Sequence, residues 1–226
     1  SGALIGAFFF ALHPLRVESV AWISTRGDLL CALFVLLTLI TYVHRASDRA
    51  SHRHFWYGLS LAAFTLSLMS RAWGITLPLA LLVLDAYPLR RFDTGQGARL
   101  PHRAILWEKV PYGLLAAGAA VTAIWAKSNS MASVVRHGLF DRLMQSGYGL
   151  AFYPAKTLFP FELSPLYLLD GSFDATSTVT VVSCVAVIGF TAFLWIGRRR
   201  WPWAITAWAL YVMTVSPLLG LVQSGP

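Results

Sequence analysis

Residues 13–28, HPLRVESVAWISTRGD, separate two apolar runs, Ala3–Leu12 and Leu29–Val43, and their reading decides the fold. A chain has no energetic reason to hold His13, Arg16, Glu18, Arg26 and Asp28 this close to hydrocarbon unless they lie at an aqueous face or serve a site. Leu15, Val17, Val20, Ala21 and Ile23, with Trp22, fit one side of a short helix lying in the membrane interface. Such a helix would aim its polar side chains at whatever approaches the membrane surface.

Working outward, the rest of the chain supports a membrane setting. Hydrophobic residues make up 57% of the 226 and charged residues 12%, against about 25% charged in an ordinary soluble domain. The mean hydropathy is +0.61. The length suits a bundle of about seven spans at roughly 20 apolar residues each. The expected spans are Ala3–Leu12 (short), Leu29–Val43, Phe55–Met69, Ile75–Tyr87, Val110–Ala126, Val179–Ile196 and Trp203–Val222. Ile75–Tyr87 is the weakest of these, because Pro78 can kink it and Asp85 is expensive within it. Trp56, Tyr57, Trp107, Tyr112, Trp195, Trp201 and Trp203 sit near span ends, where interfacial aromatics belong. The first run lacks a basic leader and a cleavage site, so it does not read as a signal peptide. The chain reads as a fragment of a longer protein.

Basic clusters orient the bundle. Arg45, Arg49 and Arg53 follow the second span, Arg90, Arg91, Arg99, Arg103 and Lys109 the fourth, and Arg198, Arg199 and Arg200 the sixth. All three fall on one side of a seven-span bundle, and the positive-inside rule makes that side cytoplasmic. The opposite, outer side then holds residues 13–28, 70–74 and 127–177. Within the last of these, Asp141–Leu158 has apolar or aromatic residues at 143, 144, 148 and 150–153. It reads as an interfacial or re-entrant helix, broken near Pro154. The net charge of +8 lies in loop clusters and does not imply nucleic acid. Cys31 and Cys184 lie in apolar runs and read as packing residues rather than a disulfide or metal pair. The sequence shows no glycine-rich phosphate loop, zinc spacing or nucleophile elbow.

Four stretches carry a resemblance: HPLRVESVAWISTRGDLLCALF, SRAWGITLPLALLVLDAYPLRR, YGLAFYPAKTLFPFELSPLY and SPLLGLVQSGP. They resemble bacterial relatives of the transmembrane and tetratricopeptide-repeat proteins, whose membrane domains have the GT-C glycosyltransferase architecture. The motif H-P-x-x-x-E-x-V followed by R-x-D, at His13–Val20 and Arg26–Asp28, is the most specific part. The animal members resemble O-mannosyltransferases that use dolichyl-phosphate-linked mannose. The resemblance therefore implies an all-α, GT-C-like bundle. It would transfer a sugar from a polyprenyl-phosphate donor to a protein acceptor on the outer face of a bacterial inner membrane. The donor is a substrate, no cofactor is expected, and a divalent metal is left open. The resemblance also implies an acidic catalytic motif upstream of Ser1 and tetratricopeptide repeats downstream, both outside this sequence.

Sugar transfer from a lipid phosphate needs a base for the acceptor hydroxyl and cations for the leaving phosphate. Glu18 would assist the base or bind sugar hydroxyls. Asp28 is either a second catalytic carboxylate or the N-cap of the second span. Arg16, Arg26 and Arg71 suit phosphate, because a guanidinium fork engages two oxygens; snorkelling to lipid is their plainer role. His13 would bind sugar or phosphate, or simply end the first span with Pro14. Lys156 and Glu162 complete the candidate substrate-binding set, while Asp85 is expected in a local ion pair. The rival class is a transporter or a non-catalytic membrane scaffold for a repeat domain. A transporter should place ionisable residues at mid-span.

Overall fold

The computed structural model describes residues 2–14, 25–47, 52–92, 102–127, 139–161 and 176–219. Among them there is no strand. The helices are α1 (Gly2–Leu12), α2 (Arg26–Ser47), α3 (Arg53–Ser70), α4 (Leu77–Ala86), α5 (His102–Trp107), α6 (Val110–Lys127), α7 (Leu139–Leu158), α8 (Thr178–Ile196) and α9 (Pro202–Val215). A 3₁₀ turn, Ala72–Thr76, leads into α4. Every apolar run of the sequence contains a helix. Three stretches are long and apolar enough to cross a membrane: Arg26–Ala46, Arg103–Ala126 and Thr178–Arg199. Ala72–Ala86 and Pro202–Val215 are apolar but shorter.

Burial is inverted relative to a water-soluble bundle. Thr38, Ser60, Ser67 and Asp85 are fully buried, while Leu33, Leu36, Ile40, Val185, Ile188 and Ile196 face outward. Helices in lipid gain nothing from burying leucine against leucine, so small and polar residues make their contacts. The α2–α3 hairpin follows that rule. Ser60 donates to the Thr38 carbonyl at 3.1 Å, and Ser60, Ala63, Phe64 and Ser67 form the buried face of α3. Thr38 and Thr41 return their hydroxyls to the Phe34 and Leu37 carbonyls, 2.7 Å each, so no hydroxyl is stranded in hydrocarbon. Gly74 is required where the turn after α3 folds back, since a Cβ there would lie 2.9 Å from Ser67 Oγ.

α6 packs beside α3 and runs parallel to it. The Tyr57 hydroxyl donates to the Glu108 carbonyl at 2.9 Å, and the Tyr112 hydroxyl to Ser60 Oγ at 2.8 Å. The core joins Tyr42, Phe64, Leu77, Ala80, Leu81, Tyr112 and Ala116 from α2, α3, α4 and α6, with Leu210 of α9 against it.

The remaining helices form a second layer. A Cβ on Gly147 would collide with Cys184 Sγ, and that thiol reaches the Met144 carbonyl at 3.5 Å. Further along, Tyr153, Thr157 and Leu158 face the same groove as Phe190, Phe193 and Leu194. The constant offset means that α7 and α8 run in the same direction. α9 returns antiparallel, with Leu219 near Ser146 and Trp208 against Phe190. Both cysteines are free.

α7 is not broken at Pro154. It continues to Leu158 with the proline inside, which corrects the expectation from sequence. A proline deprives the carbonyl four residues back of its donor. That carbonyl belongs to Leu150, and it accepts the Tyr211 hydroxyl at 2.9 Å. A side chain of α9 thus supplies the missing hydrogen bond, and the helix has no reason to end.

Candidate functional site

The hairpin carries charge at both ends, separated by the 17-residue rise from Asp28 to Arg45, about 25 Å at 1.5 Å per residue. At the first end Arg71 Nε lies 2.9 Å from Asp28 Oδ1. Asp28 is not the N-cap; α2 begins at Arg26, and Asp28 sits in its first turn, where a carboxylate complements the helix dipole. Gly27 permits the approach, since a Cβ there would lie 3.2 Å from the Ser70 carbonyl and against the Arg71 side chain. The Cys31 thiol donates to the Arg71 carbonyl at 3.6 Å, holding the extended backbone that ends α3. Asp28 Oδ1 is buried and paired by charge, without an aligned hydrogen bond. The Arg71 side chain stays 42% exposed. A half-exposed guanidinium beside a carboxylate can take an incoming anion on its open side while the carboxylate holds it in place.

Of the residues singled out from sequence, the structure therefore joins Asp28 and Arg71. Arg26 is exposed at the first residue of α2. His13 is buried, and its Nε2 lies 2.8 Å from the Thr157 carbonyl. It ties the end of α1 to the end of α7. Lys156 is the neighbouring residue, and its Nζ donates to the Phe161 carbonyl at 2.8 Å. Arg16, Glu18 and Glu162 lie outside the described residues.

The second end holds a buried ionic cluster that the sequence reading reached only in part. Asp85 was expected in a local ion pair, and Arg91 Nη1 does lie 3.1 Å from its Oδ1. Two further groups complete its shell. Lys109 Nζ approaches Oδ2 at 2.6 Å, and the Tyr42 hydroxyl lies 2.8 Å from both carboxylate oxygens. The same phenol oxygen contacts Arg91 Nη1 at 2.6 Å, and Lys109 Nζ as well. A neighbouring carboxylate, Glu108, gathers Arg45 at 2.8 Å, Arg53 at 3.0 Å and Arg91 at 2.8 Å. The Arg45 guanidinium also lies over the Tyr57 ring, 4.0 Å from its centroid. Burial alone would lower the pKa of Arg91. Its contacts with Tyr42, Glu108 and Asp85 more than offset that and raise it above the usual guanidinium value. The sequence signal was available in hindsight: Asp85 inside an apolar run and the Glu108-Lys109 pair at the start of another, both expensive unless they meet. No group of three or more His, Cys, Asp or Glu suited to a metal ion occurs among the described residues.

Among the described residues, the absence of strands, the inverted burial and three helices long and apolar enough to cross a bilayer define a membrane-associated helical protein. Over 95 residues, 40% of its length, it is 35% identical to Protein O-mannosyl-transferase TMTC4 of Homo sapiens. It is 30% identical over 95 residues to Protein O-mannosyl-transferase tmtc2 of Xenopus laevis, and 31% identical over 109 residues to Protein O-mannosyl-transferase TMTC1 of Homo sapiens, covering 41% and 44% of the chain. These matches relate the chain to the O-mannosyl-transferases over that part. The matched stretches span 13%, 11% and 12% of the three relatives. No family model and no solved structure matches.

Proposed function

We propose that this chain is part of a polytopic GT-C-type glycosyltransferase. It transfers a sugar, mannose by analogy with the relatives, from a polyprenyl-phosphate carrier to a protein hydroxyl at the extracytoplasmic face of a bacterial inner membrane. The observation that carries the reading is the 35% identity to a protein O-mannosyl-transferase. The Asp28–Arg71 pair supports it, because the reaction needs a cation and a carboxylate at one membrane end. In the transfer, the acceptor oxygen bonds to the sugar's anomeric carbon as the bond from that carbon to the phosphate oxygen breaks. The acceptor proton goes to a carboxylate, and the lipid phosphate leaves as an anion held by Arg71. Glu18 and Asp28 are the carboxylates of this chain assigned to that face. Arg16 and Arg26 supply further positive charge there, and Lys156 and Glu162 would join them only with the end of α7 on that face. The membrane-scaffold and transporter alternatives gain no support from the ionic cluster, since Asp85 and Lys109 lie at helix ends rather than at mid-span.

The test is transfer of radiolabelled mannose from polyprenyl phosphate to protein in membranes carrying the intact protein of which this chain is a part. Label should enter protein above the level of membranes lacking the chain. Normal insertion with no transfer would overturn the assignment.

A further inference from the structure

Among the described residues, the cluster at the second end contains more positive charge than it neutralises. Arg45, Arg53, Arg91 and Lys109 surround two carboxylates, Asp85 and Glu108, and the single Glu108 serves three guanidiniums. Except for Arg53, these side chains are at most 13% exposed. Burying uncompensated charge is costly unless a counter-ion completes the pairing. Arg45 shows the deficit at atomic scale. Its Nε and Nη1 are buried and have no hydrogen-bond acceptor among the described residues. Arg53, at 35% exposure, forms the open rim of the cluster. The flanking aromatics indicate depth: Phe55, two residues from Arg53, and Trp107, next to Glu108, are exposed, and Trp56 stacks on His44 with centroids 5.0 Å apart. Tryptophans at helix ends belong at the level of lipid head groups.

We propose that this cluster is a binding site for the phosphate of an anionic phospholipid in the adjacent leaflet, with Arg53 and Arg45 as its principal ligands. A phosphodiester presents two anionic oxygens, the geometry a guanidinium fork engages best. Its single charge would offset part of the cluster's excess, and its acyl chains would lie along the exposed apolar faces of α2 and α3. Asp85 and Tyr42 act as positioning groups that hold Arg91 and Lys109 behind the site. The site is about 25 Å from Asp28–Arg71, so it is separate from the proposed donor site and does not rest on the transferase reading.

The test uses the full chain in nanodiscs of pure phosphatidylcholine or of phosphatidylcholine with phosphatidylglycerol, followed by native mass spectrometry and thermal unfolding. Phosphatidylglycerol should be retained in preference to phosphatidylcholine and should raise the unfolding temperature. Arg53→Ala, at the rim where folding is least at risk, should weaken that retention about tenfold, the loss of one charge-assisted contact. Arg45→Lys should weaken it while preserving the charge count. Arg198→Ala, in a different basic cluster, should leave it unchanged. Equal retention of the two lipids, or unchanged retention in both Arg53→Ala and Arg45→Lys, would overturn the site. Stabilisation by inorganic phosphate matching that by phosphatidylglycerol would overturn its assignment to lipid.

Discussion

Asp28 and Asp85 face the same physical problem at opposite ends of the hairpin, and their surroundings resolve it differently. Asp85 is wholly buried and held by Tyr42, Lys109 and Arg91, a shell closed enough to be structural. Asp85→Ala would leave Lys109 and Arg91 buried against one carboxylate fewer. The expected destabilisation is about 3–5 kcal/mol, typical of a broken buried ion pair; it would be read as a fall in unfolding temperature and in membrane abundance. Full stability would mean that water reaches the cluster freely. Asp28 meets a partner that remains 42% exposed, as a site requires. In membranes carrying the intact protein, Arg71→Lys keeps the charge but loses the fork, while Arg71→Ala loses both. Transfer normalised to protein level should fall about tenfold or more for Arg71→Ala, the scale of one charge-assisted bond at about 1.5–3 kcal/mol, and less for Arg71→Lys. Glu18→Gln should likewise lower activity more than abundance. Unchanged activity in Arg71→Ala and Glu18→Gln would remove both residues from the site. These residues were legible as candidates because charge beside hydrocarbon is rare. Their partners were not, since Asp28 and Arg71 meet only through the α2–α3 hairpin, 43 positions apart in sequence.

At the scale of elements, apolar runs located the helices well and proline misled. Leu29–Val43 and Val179–Ile196 correspond to α2 and α8 because a stretch in lipid must satisfy its own backbone, and a helix does so within one segment. Pro154 reads locally as a break, yet α7 passes through it because the Tyr211 hydroxyl replaces the missing donor. That compensation is tertiary, and no window of sequence around Pro154 contains it. Tyr211→Phe should therefore destabilise the chain by about 1 kcal/mol through the orphaned Leu150 carbonyl. Adding Pro154→Ala should recover most of that loss, because alanine restores the N–H for the same carbonyl. The check is a double-mutant cycle of unfolding temperatures in detergent. Additive effects of the two substitutions would show that the hydroxyl and the proline are not coupled through Leu150.

At the scale of the whole molecule, the front half has two distinct ends, and the basic residues Arg45, Arg53, Arg91 and Lys109 gather at one of them. The positive-inside rule assigns that end to the cytoplasm and Asp28–Arg71 to the outside. Cysteines introduced at Ser47 and Gly95, in a background lacking Cys31 and Cys184, should be labelled only from the cytoplasmic side, and at Ser24 and Ser172 only from outside. The back half carries the sharper test. Because α7 and α8 run in the same direction, cysteines at Asp141 and Thr178, near their starts, should be labelled from one and the same side. On the seven-span topology expected from sequence, that side is the outer one and α7 is re-entrant, so a cysteine at Arg199 should react only from the cytoplasm. The bond from His13 to the Thr157 carbonyl draws the end of α1 to the level where α7 ends, so the same labels locate His13 as well. Labelling of position 199 from outside would turn the back half over. It would bring His13, Lys156 and the Arg198–Arg200 cluster to the side of Asp28 and Arg71, and the donor phosphate would then meet a larger basic surface than the hairpin alone provides.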